Sequence, residues 1–294
     1  MRKTEAGEPP RSAAVDEAAL AAFVQEAWRQ GGEHARDELP WRFLDDPYLV
    51  YVSEAMLQQT QVSRVLKHWP RFVAAFPSID ALASADTSDV LEMWQGLGYN
   101  RRALALKRAA DECSARHGGS MPKTYEELLA LPGVGPATAA GIMAFAYDKP
   151  AVYIETNVRA VFIHWFFPDD ERVSDAQLRP LVELTCPAHD ARRWYYALLD
   201  WGAHLKSMGV NPSRRSAHYT RQSAFEGSRR QKRAFVLREV LGSPGIDASS
   251  VHAALDGAER AAGRQAVPVD LFDSIVDDLI AEGFFRREGE SLVV

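Results

Sequence analysis

The chain has 294 residues, 47% hydrophobic and 25% charged, with 19 glycines and 16 prolines; these ordinary globular proportions exclude wholesale disorder, collagen and coiled-coil architectures. No run of 18 apolar residues exists, so nothing in the sequence is built to span a bilayer. Two cysteines, Cys113 and Cys186, are too few for a disulfide framework, a four-cysteine zinc site or an iron–sulfur cluster. The first 15 residues read as a flexible polar tail with no apolar signal segment, and the expected class is a cytoplasmic protein.

In chain order, apolar residues recur at three-and-four spacing over Ala18–Gln30, Tyr48–Trp69, Val90–Trp94, Arg102–His117, Tyr125–Leu131 and Thr138–Tyr147, each predicting a helix. Asp86-Thr87-Ser88 supplies an N-cap cluster ahead of Val90, and Thr124 followed by Glu127 has capping-box spacing. Breaks fall at Phe76-Pro77, Gly96-Leu97-Gly98, Gly118-Gly119 and Leu131-Pro132-Gly133. Val152-Tyr153-Ile154 is β-like but too short to found a sheet. From Gln231 the texture changes: helices are expected over Ala234–Leu241, Ser250–Ala262 and Leu271–Glu282, then an alternating hairpin over 283–294. The reading is an all-α domain over 16–225 with a small winged-helix-like α+β domain over 226–294.

Charge is sorted along the chain. The net charge is −6, yet residues 206–238 carry nine Lys/Arg against one acid, while 239–294 carry eleven acids against four arginines. A second basic cluster lies at Arg101, Arg102, Lys107 and Arg108. A phosphate backbone responds to such local patches more than to the total, although a solvated linker rich in arginine has the same composition.

Four constellations could carry chemistry. Leu131-Pro132-Gly133-Val134-Gly135 between two helices can point backbone N–H groups outward beside a helix N-terminus, where a phosphate binds without a basic side chain; the alternative is a plain helix–helix turn. Glu155 in Ile154-Glu155-Thr156-Asn157 is an acid in an apolar stretch, costly to bury unless it is paired or has a job, and otherwise a residue near a helix start capped by Thr156 or Asn157. Glu54 lies between apolar neighbours that can raise its proton affinity, with Gln58, Gln59 and Gln61 offering neutral donors and acceptors suited to base edges. Tyr99, on the turn Gly96-Leu97-Gly98-Tyr99 beside the basic cluster, can wedge or stack between bases, or sit in a core.

Together, Leu39-Pro40-Trp41-Arg42, Asp46-Pro47-Tyr48, Ser53-Glu54-Ala55-Met56-Leu57-Gln58-Gln59-Thr60-Gln61-Val62, Gly96-Leu97-Gly98-Tyr99, Leu131-Pro132-Gly133-Val134-Gly135 and Glu155-Thr156-Asn157-Val158-Arg159 closely resemble the two-lobed helix-hairpin-helix DNA glycosylases. The resemblance covers about residues 38–205 and favours the MutY branch, the adenine glycosylases. It implies double-stranded DNA as partner and a monomer as the working form. Glu54 would then protonate adenine N7, Glu155 stabilise the oxocarbenium-like sugar, and Asn157 orient that carboxylate. Arg42 and Leu57 would line the pocket for the flipped base. Gln58, Gln59 and Tyr99 would fill or wedge the base stack, and Gly133 and Gly135 would hold phosphate. Bifunctional relatives place a lysine nucleophile where this chain has Ala137, so a monofunctional enzyme is expected.

Three departures from the family pattern stand out. The MutY branch has aspartate where this chain has Glu155. The four cysteines that hold a [4Fe–4S] cluster in most relatives correspond here to Lys206, Ser213, Ser216 and Gln222, so no cofactor is expected, while Arg214, Arg215 and Arg221 in the same segment could still engage phosphates. The final 65 or so residues are too short and too helical for the Nudix-like domain that inspects the opposite base. The expected function is base excision of adenine mispaired with 8-oxoguanine or G. A glycosylase for another mispaired or modified base and a non-catalytic damage-binding protein are the alternatives.

Overall fold

The computed structural model describes residues 16–222 and 224–294, so the expected polar tail over 1–15 lies outside the described residues. Eleven helices come first: α1 (Glu17–Glu33), α2 (Pro47–Leu57), α3 (Val62–Ala75), α4 (Ile79–Ser84), α5 (Thr87–Trp94) and α6 (Arg101–Arg116), then α7 (Tyr125–Ala130), α8 (Pro136–Phe145), α9 (Thr156–Phe166), α10 (Asp175–Thr185) and α11 (Ala191–Ser207). A 3-10 turn at Pro212–Arg215 is followed by α12 (Arg229–Gly242), β1 (Ile246–Asp247), α13 (Ala248–Ala261), α14 (Val269–Glu282), β2 (Arg286–Glu288) and β3 (Ser291–Val293). The all-α reading with a small C-terminal sheet holds. The chain forms two compact units, one from residues up to Arg36 with Pro150–Tyr219, the other from Asp37–Lys149 with Thr220–Val294.

In the first unit, α1 starts where Asp16 accepts a hydrogen bond from the Ala18 amide. Phe23 on α1 is fully buried among Phe162, Phe166, Trp194 and Trp201 from α9 and α11, with ring centroids 4.7 to 6.1 Å away. Gly31 lets α1 close on α11, because a Cβ there would lie 2.2 Å from the Ala197 Cβ. Val152-Tyr153-Ile154 forms no strand; it leads instead into α9.

In the second unit, α2 begins with Asp46 accepting from the Tyr48 amide at 2.8 Å and Pro47 in the first turn. The expected continuous helix over Tyr48–Trp69 is two helices. The break at Gln58–Gln61 has a physical cause: Gln59 adopts φ 52, in the left-handed region, and the Arg102 guanidinium caps the carbonyls that end α2. Only half of the expected capping box forms: Thr124 Oγ1 accepts from the Glu127 amide, while the Glu127 carboxylate takes the Thr124 hydroxyl proton and leaves the Thr124 backbone amide alone. Phe72 and Trp94, both fully buried, pack edge-to-face at 5.8 Å and join α3 to α5.

The C-terminal part of this unit has helix order α12–α13–α14 and an antiparallel sheet of order β1-β3-β2. The winged-helix expectation of a two-stranded hairpin thus gains a third strand. Ile246 pairs with Leu292, and two residues carry too little periodicity to announce a strand. Inside the module, buried Lys232 on α12 and buried Glu259 on α13 form an ion pair at 2.8 Å, joined by Arg264. The acids of α14 face arginines: Asp278 binds Arg229 at 2.6 Å, and Glu282 binds Arg101 at 2.5 Å and Arg233 at 2.7 Å.

Candidate active site

Glu155 stands in the first unit as the N-cap of α9, so the expected cap at Thr156 or Asn157 sits one or two residues too late. Its Oε1 accepts from the amides of Asn157 at 2.5 Å and Val158 at 3.0 Å. Burial raises its carboxyl above the ordinary carboxylate range, against the opposing pull of the Val158 and Asn157 amides, Lys206 and Arg159. The amides thus fix the carboxyl at one point while burial disfavours its charge. Asn157, two residues further on, receives a hydrogen bond on Oδ1 from the Lys206 ammonium of α11 at 2.6 Å. Gly202 makes the approach of α9 to α11 feasible: a Cβ there would lie 2.5 Å from the Asn157 carbonyl oxygen.

The remaining candidates of the helix α2 region lie in the second unit. Glu54 sits half-buried on α2, between the buried residues Ser53 and Ala55. Arg42 is 6% exposed, its guanidinium 3.9 Å from the Asp37 carboxylate. Leu57 is half-buried at the end of α2, and the next two residues, Gln58 and Gln59, are exposed. Gln58 donates to Thr138 Oγ1 on α8 at 2.9 Å, which ties the end of α2 to the helix behind the hairpin.

Tyr99 takes φ 50 and leaves 39% of its surface exposed, so it is a projecting turn residue and not a core tyrosine. Beneath it, Arg102 lies 5.5 Å from the Tyr99 ring centroid and 5.3 Å from that of Trp94. The hairpin follows α7: Val134 N–H closes a turn onto the Leu131 carbonyl at 3.1 Å, Gly133 adopts φ 73, and Gly135 caps α8. Only glycine fits at 133, where a Cβ would lie 2.4 Å from the Ala105 Cβ on α6. A cavity of 190 Å³ lies beside it, lined by Tyr51, Ala55, Gln58, Arg101, Arg102, Ala105 and Gly133. Arg102 and Lys206 are the residues whose roles sequence reasoning missed. Arg102 reads there as one more phosphate-facing arginine, and Lys206 only as a vacated ligand position.

The end of α11 and the segment after it offer no thiol at the four positions the resemblance assigns to a cluster. Lys206 is turned to Asn157, buried Ser213 donates to Asn211 Oδ1 at 2.5 Å, buried Ser216 accepts from the His218 amide at 3.1 Å, and Gln222 is exposed. Cys113 belongs to the second unit and Cys186 to the loop after α10. These residues do not fit an iron–sulfur cluster. Arg215 holds the segment by other means, donating to the carbonyls of Phe167 at 2.5 Å and of Pro168 and Asp170 at 2.9 Å. That commits its guanidinium to the protein backbone, whereas Arg214 and Arg221 are exposed.

A family model described as "HhH-GPD superfamily base excision DNA repair protein" matches residues 52–183. The chain is 32% identical over 178 residues to the adenine DNA glycosylase of Buchnera aphidicola subsp. Baizongia pistaciae (strain Bp), covering 60% of this chain and 50% of that protein. It is 43% identical over 136 residues to the adenine DNA glycosylase of Mycobacterium tuberculosis (strain CDC 1551 / Oshkosh), covering 46% of this chain and 44% of that one. The chain thus spans about half the length of these curated relatives. Among solved structures, a thermostable thymine-DNA glycosylase superposes with TM-score 0.59 at 27% identity, over 63% of this chain and 87% of that chain. A trapped endonuclease III–DNA covalent intermediate shares the fold, with TM-score 0.56 at 16% identity over 65% of this chain and 87% of that chain.

Proposed function

We propose that this chain, which carries an HhH-GPD domain over residues 52–183, is a monofunctional DNA glycosylase that releases adenine mispaired with 8-oxoguanine or G from double-stranded DNA. The observation that carries the reading is Glu155: a desolvated carboxyl pinned by two backbone amides at the start of α9, inside the segment matched by the family model. Glycosidic cleavage needs a proton donor at the leaving base and a carboxylate at the anomeric carbon. Glu54 is the donor, protonating N7 of the flipped adenine so that the base leaves neutral. Glu155 stabilises the oxocarbenium-like sugar until water adds. Asn157 orients Glu155, and Arg42 and Leu57 line the base pocket.

Tyr99, Gln58 and Gln59 occupy the gap left in the stack, while Gly133, Gly135, Arg214 and Arg221 hold phosphates. Ala137 offers no amine for a Schiff base, so the product is an intact abasic strand. The reaction runs without a metal cluster. The linear division into a glycosylase domain over 16–225 and a winged-helix module over 226–294 belongs to the same proposal.

The 27% identity to a thymine-DNA glycosylase favours one second reading, removal of a mismatched pyrimidine. A single-turnover assay on A:8-oxoguanine, A:G, G:T, G:U and undamaged duplexes, with and without alkali, separates the two. Cleavage only after alkali, and only at adenine opposite 8-oxoguanine or G, is expected. Release of thymine or uracil instead selects the second reading, and binding without release of any base sinks both. Glu54→Gln is expected to abolish adenine release, by at least 100-fold if proton transfer to N7 drives departure; an unchanged rate removes Glu54 from the mechanism.

A further inference from the structure

Two departures from the family pattern meet in this structure. Glu155 and Lys206, distant in sequence, both engage Asn157: the carboxyl through the Asn157 backbone amide and the ammonium through its side-chain oxygen. We propose that Lys206 is a positioning residue of the excision reaction, holding the Asn157 amide in one orientation and lending its charge to Glu155, so that α11 sets the catalytic carboxylate through the first turn of α9. The proposal rests on the reading of Glu155 and Asn157 as the sugar-side pair.

The local architecture is made for this contact. Gly202 and Lys206 stand four residues apart on α11 and therefore on one helix face. The first lets the α9 backbone approach, since any Cβ would strike Asn157, and the second reaches the Asn157 side chain one turn along. An ammonium donates and cannot accept, so the bond fixes the amide flip, with Oδ1 toward Lys206 and Nδ2 directed elsewhere. Lys206 is half-buried, and a buried ammonium is costly unless polar partners compensate for its desolvation. Burial lowers its proton affinity, Glu155 opposes that, and Arg36 adds to it.

Other charges around the pair are already engaged. Arg36 is bound by the buried Asp200 of α11, and Arg159 of α9 is bound by Asp175 of α10 at 2.7 and 2.8 Å. His34 and His204 stack on one another at 3.5 Å, and Arg215 is turned to backbone carbonyls. Lys206 is thus the cation of α11 that acts on Glu155.

The test follows the Glu155 carboxyl directly, in the full chain labelled with 13C at glutamate carboxyl carbons, with Glu155→Gln assigning the resonance. In Lys206→Met the Glu155 midpoint is expected to rise further, by about one pH unit, and in Lys206→Arg to stay near the parent value. Single-turnover release from an A:8-oxoguanine duplex is expected to fall by about 10- to 100-fold in Lys206→Met, with its pH profile displaced the same way, and to be largely rescued by Lys206→Arg. An identical Glu155 midpoint in parent and Lys206→Met, or an undiminished rate, overturns the proposal. If the parent chain releases no base at all, the proposed function fails, while the carboxyl titration still upholds or overturns the link from Lys206 to Glu155. Far-UV circular dichroism on each variant separates loss of fold from loss of positioning, and Lys206→Gln, which removes the charge but keeps a donor, carries the same expected rise of the Glu155 midpoint if Lys206→Met does not fold.

Discussion

Glu155 has one methylene more than aspartate, and the chain uses that length to fold the carboxyl back over its own helix start, where Oε1 meets the Asn157 and Val158 amides. Aspartate at 155 would still be a good N-cap, so the helix would survive the substitution. Its carboxyl would nonetheless retreat by roughly 1 Å, enough to cost on the order of 100-fold in rate when a reacting group is misplaced. Glu155→Asp is therefore expected to leave the melting temperature nearly unchanged and to slow single-turnover base release by about that factor. A faster Glu155→Asp variant would mean that the site is shaped for the shorter acid. The same residue shows how far local sequence carries: an acid before Thr-Asn reads as a helix start, but its desolvation comes from the packing around α9 and its charge partner from α11.

At the scale of elements, Arg102 decides where α2 ends. Its guanidinium donates to the carbonyls of Ala55 at 2.7 Å, Met56 at 2.9 Å and Gln58 at 2.7 Å, and to Thr60 Oγ1 and the Gly98 carbonyl, both at 2.9 Å. One side chain on α6 thus ties the end of α2 to the turn that projects Tyr99. Burial pulls its proton affinity down to about 10, which leaves it charged at neutral pH. Arg102→Met would leave those carbonyls without their donor, at a cost of about 3 kcal/mol for a charge-assisted network. The expected result is a clear drop in the urea midpoint together with weaker DNA binding. Retained stability would show that water replaces the guanidinium. Periodicity read Tyr48–Trp69 as one helix because the pattern of α2 continues in phase into α3. The break comes from a residue more than 40 positions away, which no local window contains.

At the scale of the whole molecule, charge sorted along the sequence is partly matched within the fold. Arg101, Arg229 and Arg233, counted with the basic stretches, are bound by Asp278 and Glu282 of α14, while Arg214 and Arg221 are exposed. The C-terminal module also holds a buried ion pair whose loss is costly. Glu259, hydrogen-bonded by Arg264 and Lys232, has its carboxyl pulled down from 4.5 to about 2. A carboxyl lowered on folding stabilises the fold above its ordinary range and loses that contribution as the pH falls toward 2. Glu259→Gln leaves the Lys232 ammonium buried without its counter-charge, a loss of about 3 kcal/mol near pH 7. The gap between parent and variant in chemical denaturation is expected to narrow steadily from pH 5 to pH 2. A gap independent of pH would mean that lost packing, not charge, sets the cost.

By itself the sequence determined the helical class, most of the helix positions, the hairpin at Leu131–Gly135 and the residue types at Glu54, Glu155 and Asn157. These are local properties: a period of 3.6 residues, a glycine where φ must be positive, an acid flanked by apolar neighbours. It also showed that thiols are absent from Lys206, Ser213, Ser216 and Gln222, since composition needs no coordinates. Only the tertiary structure decided how this part of the chain is held, because Lys206 on Asn157 and Arg215 on the Phe167–Asp170 carbonyls join residues about 50 positions apart. It alone decided that α2 stops at Leu57, that the two-residue strand Ile246–Asp247 joins the wing, and that acidic α14 is matched to arginines. Hydrogen bonds and charge pairs between remote residues depend on which surfaces packing brings together, and that information is carried by the folded chain as a whole.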